Sequence, residues 1–540
     1  MTLNSISELL EPNRLRDDTP ADVKITAEAR KPELDPTLGV PVPVTRDGEP
    51  RHRLVTLGDS LTQGFQSFAV SNTHLSWPNL VAWELGWAEN FRYPMYWGEG
   101  GMPLNIELIV RTLERRFGPK LDNAWEKARA AGEVLGLVRR ISEHWKREWN
   151  QDIPLSTNHN LAVWGWDMRD VLERTAATCS SEVARAPDNY FETANARSGY
   201  RVLAGAREGD RALTALQAAQ QLSEDGRDAA GNGIETLVVM LGSNNSLRTV
   251  ANLRVIWSGP GFDDLNVKQR YTAWRPDHFR IELERFLSAL EKVRARHVIL
   301  ATVPHVTIPP ISRGISLSSG KVTPRSRYFE YYTRPWISAL NFDPRNDRCI
   351  TAAQARAVDS AIDQYNYEIT NIVRLKRLAG QDYYLFDLAG LLDRLAHRRY
   401  LDDPAALPSW WAEVGGEYQL PAELAAVRPK LSSELFQAGS NGREKGGLFS
   451  LDHIHPTTVG YGIIAQEIIR VMQRAGVVFR HSNGVERPEP VELDFTRLLR
   501  LDSLLASPPQ SLNNDAELFA AIDRCVDGLL DRIGVQVPAF

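Results

Sequence analysis

Cysteine is scarce in this chain of 540 residues: Cys179, Cys349 and Cys525 are its only three, far apart and odd in number. That argues against a disulfide framework and against a cysteine-rich zinc site. An excess of one charge is also missing, since 63 Lys and Arg stand against 68 Asp and Glu for a net charge of −5. No nucleic-acid partner is expected, because such a partner calls for a basic patch. No apolar run approaches membrane-spanning length, so no transmembrane segment is expected. The opening MTLNSISELLEPNRLRDD lacks the basic start and apolar stretch of a secretory leader. A reducing, cytoplasmic setting fits best; an exported chain already stripped of its leader would read much the same, although the leading Met counts against it. A phosphate-binding loop is missing too, for Gly98-Glu99-Gly100-Gly101 is not followed by Gly-Lys-Ser/Thr. What remains is an ordinary composition, 43% hydrophobic and 24% charged. The length suits a large core and, taken alone, two or more domains.

Against that background two short stretches stand out. Gly58-Asp59-Ser60-Leu61-Thr62-Gln63-Gly64 follows the aliphatic run 53–57 and opens a helix-like segment, so Ser60 falls at a strand-to-helix turn. In an open parallel sheet, ligands bind at the carboxyl ends of the strands, which is where such a turn lies. The same letters also suit a plain turn with a serine helix cap. Near the other end, Asp452-His453-Ile454-His455-Pro456 precedes Thr457-Thr458-Val459-Gly460-Tyr461 and an apolar helical run over 463–472. A serine hydroxyl needs a base to take its proton, and the base needs a carboxylate to hold its tautomer. Asp452 and His455, three apart, can supply both.

The chain here resembles the SGNH, or GDSL, family of serine hydrolases. GDSLTQG matches that family's nucleophile motif, and DHIHPTTVGYG its Asp-x-x-His motif. Between them, Asn160-Leu161-Ala162-Val163-Trp164-Gly165 looks like the glycine motif and Leu241-Gly242-Ser243-Asn244-Asn245 like the Gly-x-Asn-Asp motif, with Asn245 where the family usually has Asp. The four occur in the family's order, and the resemblance covers roughly residues 51–476. It implies Ser60, Asp452 and His455 as catalytic residues. It also implies an oxyanion hole from the Ser60 and Gly165 backbone N–H groups and the Asn244 side chain, with no cofactor. The implied activity is metal-independent hydrolysis of an acyl ester through an acyl-enzyme on Ser60, the substrate being a small molecule, a lipid or a carbohydrate ester. Transfer of the acyl group to another alcohol, or a ligand-binding module that has kept the fold without the chemistry, are the alternatives. Duller roles exist for each residue: Asn244 and Asp452 as helix caps, Gly165 as a turn glycine, His455 as a surface histidine. A metal held by Asp452, His453 and His455 is a further alternative, but no additional ligand cluster accompanies them.

Periodicity predicts strands at 53–58, 159–164, 235–241, 297–303 and 383–388, separated by helical stretches. That is an α/β chain whose mainly parallel five-stranded sheet is covered on both faces. It agrees with the three-layer α/β/α, flavodoxin-like fold that the resemblance implies, with Ser60, Gly165 and Asn244 just past the first three strands. Helices are expected over 76–86, 104–117, 123–149 (apolar face Leu135, Val138, Ile141), 206–222, 277–296 and 352–378. Residues 1–50, rich in proline, read as an extended or partly disordered arm. Residues 51–476 read as the catalytic domain, with insertions at about 104–150, 307–347 and 397–448, and 477–540 as a helical appendix. In the last, Leu518, Ile522, Cys525, Leu529 and Ile533 share one helix face. The aromatic-rich insertion 307–347 is expected to wall or cover the pocket. Trp164 and Trp166, with Trp145 and Trp149 upstream, can stack on sugars or line an acyl pocket, though core packing is the commoner use.

Overall fold

The computed structural model describes residues 18–26, 28–43, 50–121, 123–153, 156–205, 208–225, 233–317 and 326–510. Four apolar runs form one sheet: β1 (His52–Gly58), β2 (Ile234–Met240), β3 (Ala295–Ala301) and β4 (Tyr383–Phe386), all parallel and in that spatial order. Successive side chains leave a strand on opposite faces, so each run feeds two cores. Val55, Leu57, Leu237, Val239, Val298 and Leu300 enter one apolar cluster with the helices Ala215–Glu224, Pro276–Leu290 and Ala352–Leu378. Leu54, Val238, Met240, Ile299, Ala301 and Phe386 enter the other, with Trp77–Glu84, Leu388–Arg394 and Thr458–Arg474. Helices therefore cover both faces of a parallel α/β sheet.

The expected strand at 159–164 is the correction. It runs beside the free edge of β1 but makes a single bridge, Thr56 with Asn160. Thr56 N donates to His159 O (2.9 Å), and Leu161 N to Thr56 O (2.9 Å). The local reason is polar: the Asn160 carboxamide oxygen accepts from Thr56 Oγ1 and from Ala162 N, while Arg92 O accepts from His159 N and Arg92 N donates to His159 Nδ1 (2.9 Å). A side chain that bonds its own backbone two residues on competes with the ladder. Among the described residues the sheet has four strands, not five.

The insertions differ in kind. Ile106–Phe117 and Ala124–Glu148 are capped by the side chains of Asn105 and Asn123, and together they close a satellite core. In the second helix Val134, Leu137, Ile141 and Trp145 face inward, whereas Leu135 is 53% exposed. Of the expected positions, Ile141 is buried and Val138 packs partly buried against this core, so only Leu135 is turned out. In 307–347, Arg313–Ile315 and Tyr331–Thr333 pair antiparallel, and Ile350–Thr351 adds a third strand. The 397–448 stretch carries the hairpin of Gln437–Gly439 with Gly442–Lys445. In the described part of the expected helix 206–222, a 3-10 turn covers Glu208–Ala212 and the α-helix begins only at Ala215.

Two peripheral segments lie on this framework. The N-terminal segment reaches the free edge of β4 at Pro36, whose carbonyl accepts from Leu385 N (2.9 Å), and lies against the long helix, where Thr26 N donates to Ser360 Oγ (3.2 Å) and Arg377 Nε to Val40 O (2.8 Å). Beyond residue 476, the helix Phe495–Leu501 sets Phe495 and Leu498 against Thr458–Arg474. The expected helix face from Leu518 to Ile533 lies outside the described residues. Among the described residues, no helix is long and apolar enough to cross a membrane.

Candidate active site

β1 ends at Gly58, and the chain turns at once into a four-residue helix, Ser60–Gln63. Asp59 caps that helix, its carboxylate accepting from Leu61 N (3.0 Å), a common use of Asp ahead of a first turn. Burial lifts the Asp59 pKa to about 6, against the Leu61 bond and the nearby His455, which pull it down. Ser60 is thereby held at the carboxyl edge of the sheet, 6% exposed.

His455 reaches this edge from the loop ahead of the helix Thr458–Arg474. Its Nε2 lies 2.8 Å from Ser60 Oγ, and its Nδ1 lies 3.0 Å from Asp452 Oδ2. The Asp452 carboxylate also accepts from Ile454 N (2.9 Å), His455 N (2.8 Å) and Phe68 N (2.9 Å). Burial would raise its pKa, but the His455 imidazole and these donors outweigh burial and hold the carboxyl below its ordinary range. Asp452 is therefore a buried anion with its lone pairs in use, and it fixes the ring that faces Ser60. The loop is anchored twice more. Thr457 caps the following helix at Gly460 N and donates to Gly447 O (2.8 Å), while the Phe65 ring lies 4.6 Å from the His455 ring.

Gly165 and Asn244 border the same space. Gly165 has φ +75°, a conformation that a residue with Cβ rarely adopts. The turn before it is held by Gln63, whose Oε1 accepts from Trp164 N (2.7 Å), and by Asn195, whose amide bonds Trp164 O. No described residue accepts from the Ser60 or Gly165 backbone N–H. The Asn244 amide gives one proton to Trp166 O (2.8 Å), which orients it and leaves a second for the cleft lined by Ser60, Gly165 and Asn244. Its neighbour Asn245 is fully buried and turned away, donating to Glu282 Oε2 (3.1 Å). All five residues singled out in the sequence are thus brought to one edge of the sheet.

His453 is not among them. It is buried with φ +63°, its carbonyl accepting from Ile311 N (2.9 Å), and burial pushes its pKa down to about 4 despite Asp452. Among the described residues, no group of three His, Cys, Asp or Glu side chains is placed to hold a metal. Of the tryptophans singled out in the sequence, Trp166 and Trp145 are core residues and Trp164 reaches the cleft wall, which Trp274 also lines. The aromatics of 307–347 turn inward instead of over the site: Tyr328 and Tyr332 are buried, and Arg327 and Arg399 lie over the Tyr328 ring.

Two contributors escaped the sequence reading. Gln63 sits inside the GDSLTQG stretch, so position alone could have flagged it. Phe68 offered no signal, because its N–H reaches Asp452 only through a turn in which Ser67 (φ 49°) and Phe68 (φ 69°) are both left-handed. Such strained non-glycine turns are kept where the surroundings over-determine them, and functional sites are the usual place.

Compared with known proteins, the chain matches no family model and no curated sequence.

Proposed function

We propose that this chain is a serine ester hydrolase of the SGNH type, working through an acyl-enzyme on Ser60 and without a metal. The observation that carries the reading is the continuous relay Ser60 Oγ to His455 Nε2 and His455 Nδ1 to Asp452 Oδ2. In the first half-reaction, His455 takes the Ser60 proton as Oγ attacks the ester carbonyl, and Asp452 stabilises the imidazolium that forms. Charge grows on the carbonyl oxygen, where the Ser60 and Gly165 N–H groups and the free Asn244 proton can meet it. His455 then gives its proton to the departing alcohol. Water, activated by the same imidazole, cleaves the acyl-enzyme.

The backbone supports this reading as well. With the Asn160 segment beyond β1, the edge order runs second, first, third, fourth, fifth in chain terms, as in flavodoxin-like sheets. Asn245, where the SGNH pattern has an acid, is bonded to the acid Glu282, so the supporting role is met from another helix.

A fluorophosphonate tests the proposal directly. It should label Ser60, found by peptide mass, and His455→Ala should slow labelling by orders of magnitude. Hydrolysis of chromogenic acyl esters should vanish in Ser60→Ala. Labelling of another serine, with Ser60 untouched, would sink the mechanism.

A further inference from the structure

Two cavities of opposite chemistry open onto Ser60 and His455. One is a slot of about 860 Å³, counting the space at its mouth, between the helix Leu388–Arg394 and the first turns of Thr458–Arg474. Leu391, Leu392, Leu395, Phe449, Ile463 and Ile464 wall it. Its polar groups away from the catalytic end are already committed. His305 has Asp393 on Nδ1 and Asp363 on Nε2, both at 2.9 Å, while Ser433 Oγ donates to Leu395 O (2.6 Å) and accepts from His397 N (3.0 Å). A polar group entering the slot would find no partner beyond Ser60, Ser243 and His455, and burying one unpaired is costly. An aliphatic chain loses nothing there.

The other cavity is a broad cleft of about 2220 Å³, counted the same way, that holds Gly165 and Asn244 on its wall. Most of its charges are paired within the protein: Lys268 with Asp170, Arg174 with Glu182, Glu173 with Arg285, Asp167 with Arg169. Arg248 is different. Its guanidinium bonds the Gln269 side chain and the Lys268 carbonyl (3.4 Å), and no carboxylate of the described residues lies within ion-pair distance. It is a cation in a cleft wall, four residues past Asn244, that feels Asp167 and Asp170 only at longer range; Arg185, also on the cleft wall, is a second cation outside the ion pairs of the described residues.

We infer that the substrate is an amphiphilic ester whose aliphatic acyl chain lies in the slot and whose alcohol carries an anionic group, phosphate or carboxylate, beside Arg248. This rests on Ser60 acting as the acyl acceptor. The acyl part belongs in the slot because it stays on the enzyme after the first step. The alcohol must leave before water reaches His455, and the wide polar cleft is the route by which one goes out and the other comes in. Arg248 suits either anion, since a guanidinium fork matches both.

Octanoyl esters of glycerol, glycerate and glycerol phosphate, beside their acetyl counterparts, test both halves. In the wild type, kcat/KM should rise about fourfold per methylene until the slot is full. Leu392→Trp, which fills the slot, should move the preference to acetyl esters. Should that variant not fold, Leu395→Ala, which lengthens the cavity, should move it to chains longer than octanoyl. Arg248→Gln should lower kcat/KM about tenfold or more on one or both charged alcohols and leave the glycerol ester unchanged. The charged alcohol that loses more identifies the anion. Hydrolysis with no chain-length trend, or a trend untouched by both slot variants, would overturn the slot assignment. An equal loss on all three alcohols in Arg248→Gln would overturn the anion assignment. Absence of both hydrolysis and Ser60 labelling would instead overturn the hydrolase reading.

Discussion

Asn244 and Asn245 are neighbours in sequence with opposite surroundings, and they make the sharpest comparison available at the scale of single residues. The Asn244 amide is fixed by the Trp166 carbonyl with one proton left toward the cleft, so its contribution should be larger in the transition state than in the bound substrate. Asn244→Ala should lower kcat on the order of 10²–10³ with little change in KM. Asn245→Ala removes a donor from Glu282, whose pKa burial and Asp167 already lift to about 8. Its expected signature is a lower denaturant midpoint with kcat near wild type. Steady-state kinetics and unfolding curves on both variants decide between the two roles, and the reverse pattern would place the oxyanion donor one residue later. Asp452 gives a second residue-scale expectation. Because its folded pKa lies below the ordinary 3.8, its contribution to stability is present above that value and lost as pH falls through the lower one. Asp452→Asn should flatten this acid limb of the stability profile, read by urea unfolding across acid pH.

At the scale of elements, the catalytic loop depends on how its helix begins. Thr457 caps Thr458–Arg474 and also bonds Gly447 O, and Asp502 from the C-terminal segment accepts from Val459 N (3.0 Å). The turn that carries His455 is therefore held from two directions. Thr457→Ala should cost about 1 kcal/mol as a lost cap, visible as a lower Tm. It should also slow fluorophosphonate labelling of Ser60, because the imidazole loses its support two residues away; a variant that loses stability and labels at the wild-type rate would show that Asp452 alone orients the ring. The insertion 307–347 teaches something different. Its aromatics suggested a cover for the pocket, but Tyr328 packs on Arg327 and Arg399 and Phe329 on Arg398, and among the described residues of the insertion only Pro309 reaches the slot wall. The slot is walled instead by the helix Leu388–Arg394 and the end of the 397–448 stretch, which look unremarkable as sequence.

At the scale of the whole molecule, one buried ionic cluster ties the periphery to the sheet. His305, just past β3, sits between Asp363 on the long helix Ala352–Leu378 and Asp393 on Leu388–Arg394. Arg327 lies 3.7 Å from Asp363, Arg399 lies 3.0 Å from Asp359, and Arg30 of the N-terminal segment pairs with Asp387. Burial works to lower the His305 pKa, but Asp393, Asp363 and Asp359 together outweigh it and hold it up at about 10. A raised folded pKa stabilises fully below the ordinary 6.5 and is lost as pH rises through about 10. The protein should therefore lose stability between these values, and His305→Gln should remove most of that slope while costing about 3–5 kcal/mol near neutral pH, because two buried carboxylates lose their cation. Chemical denaturation of both proteins across this range checks it; a slope that survives in His305→Gln would assign it to other groups.

What the sequence determined by itself was local or periodic. The runs that became β1 to β4, the helix Ala352–Leu378 and the turns carrying Ser60 and His455 are legible because alternation of burial and capping chemistry act over a few residues. The edge position of Ser60, Gly165 and Asn244 followed from chain order, since parallel strands bring their carboxyl ends to one side. Only the tertiary structure decided the rest. Asn160 turned an expected strand into a single bridge through side-chain bonds to β1, and Phe68 reached Asp452 across 384 positions of chain. The inward face of Ala124–Glu148 kept Ile141 and Val138 but turned Leu135 out, because a neighbour, and not the helix's own pattern alone, chooses which stripe is buried. The slot and the cleft with Arg248 on its wall arise where segments far apart in sequence meet, and charge pairing or cavity shape at such meetings depends on distances that no short window of sequence contains.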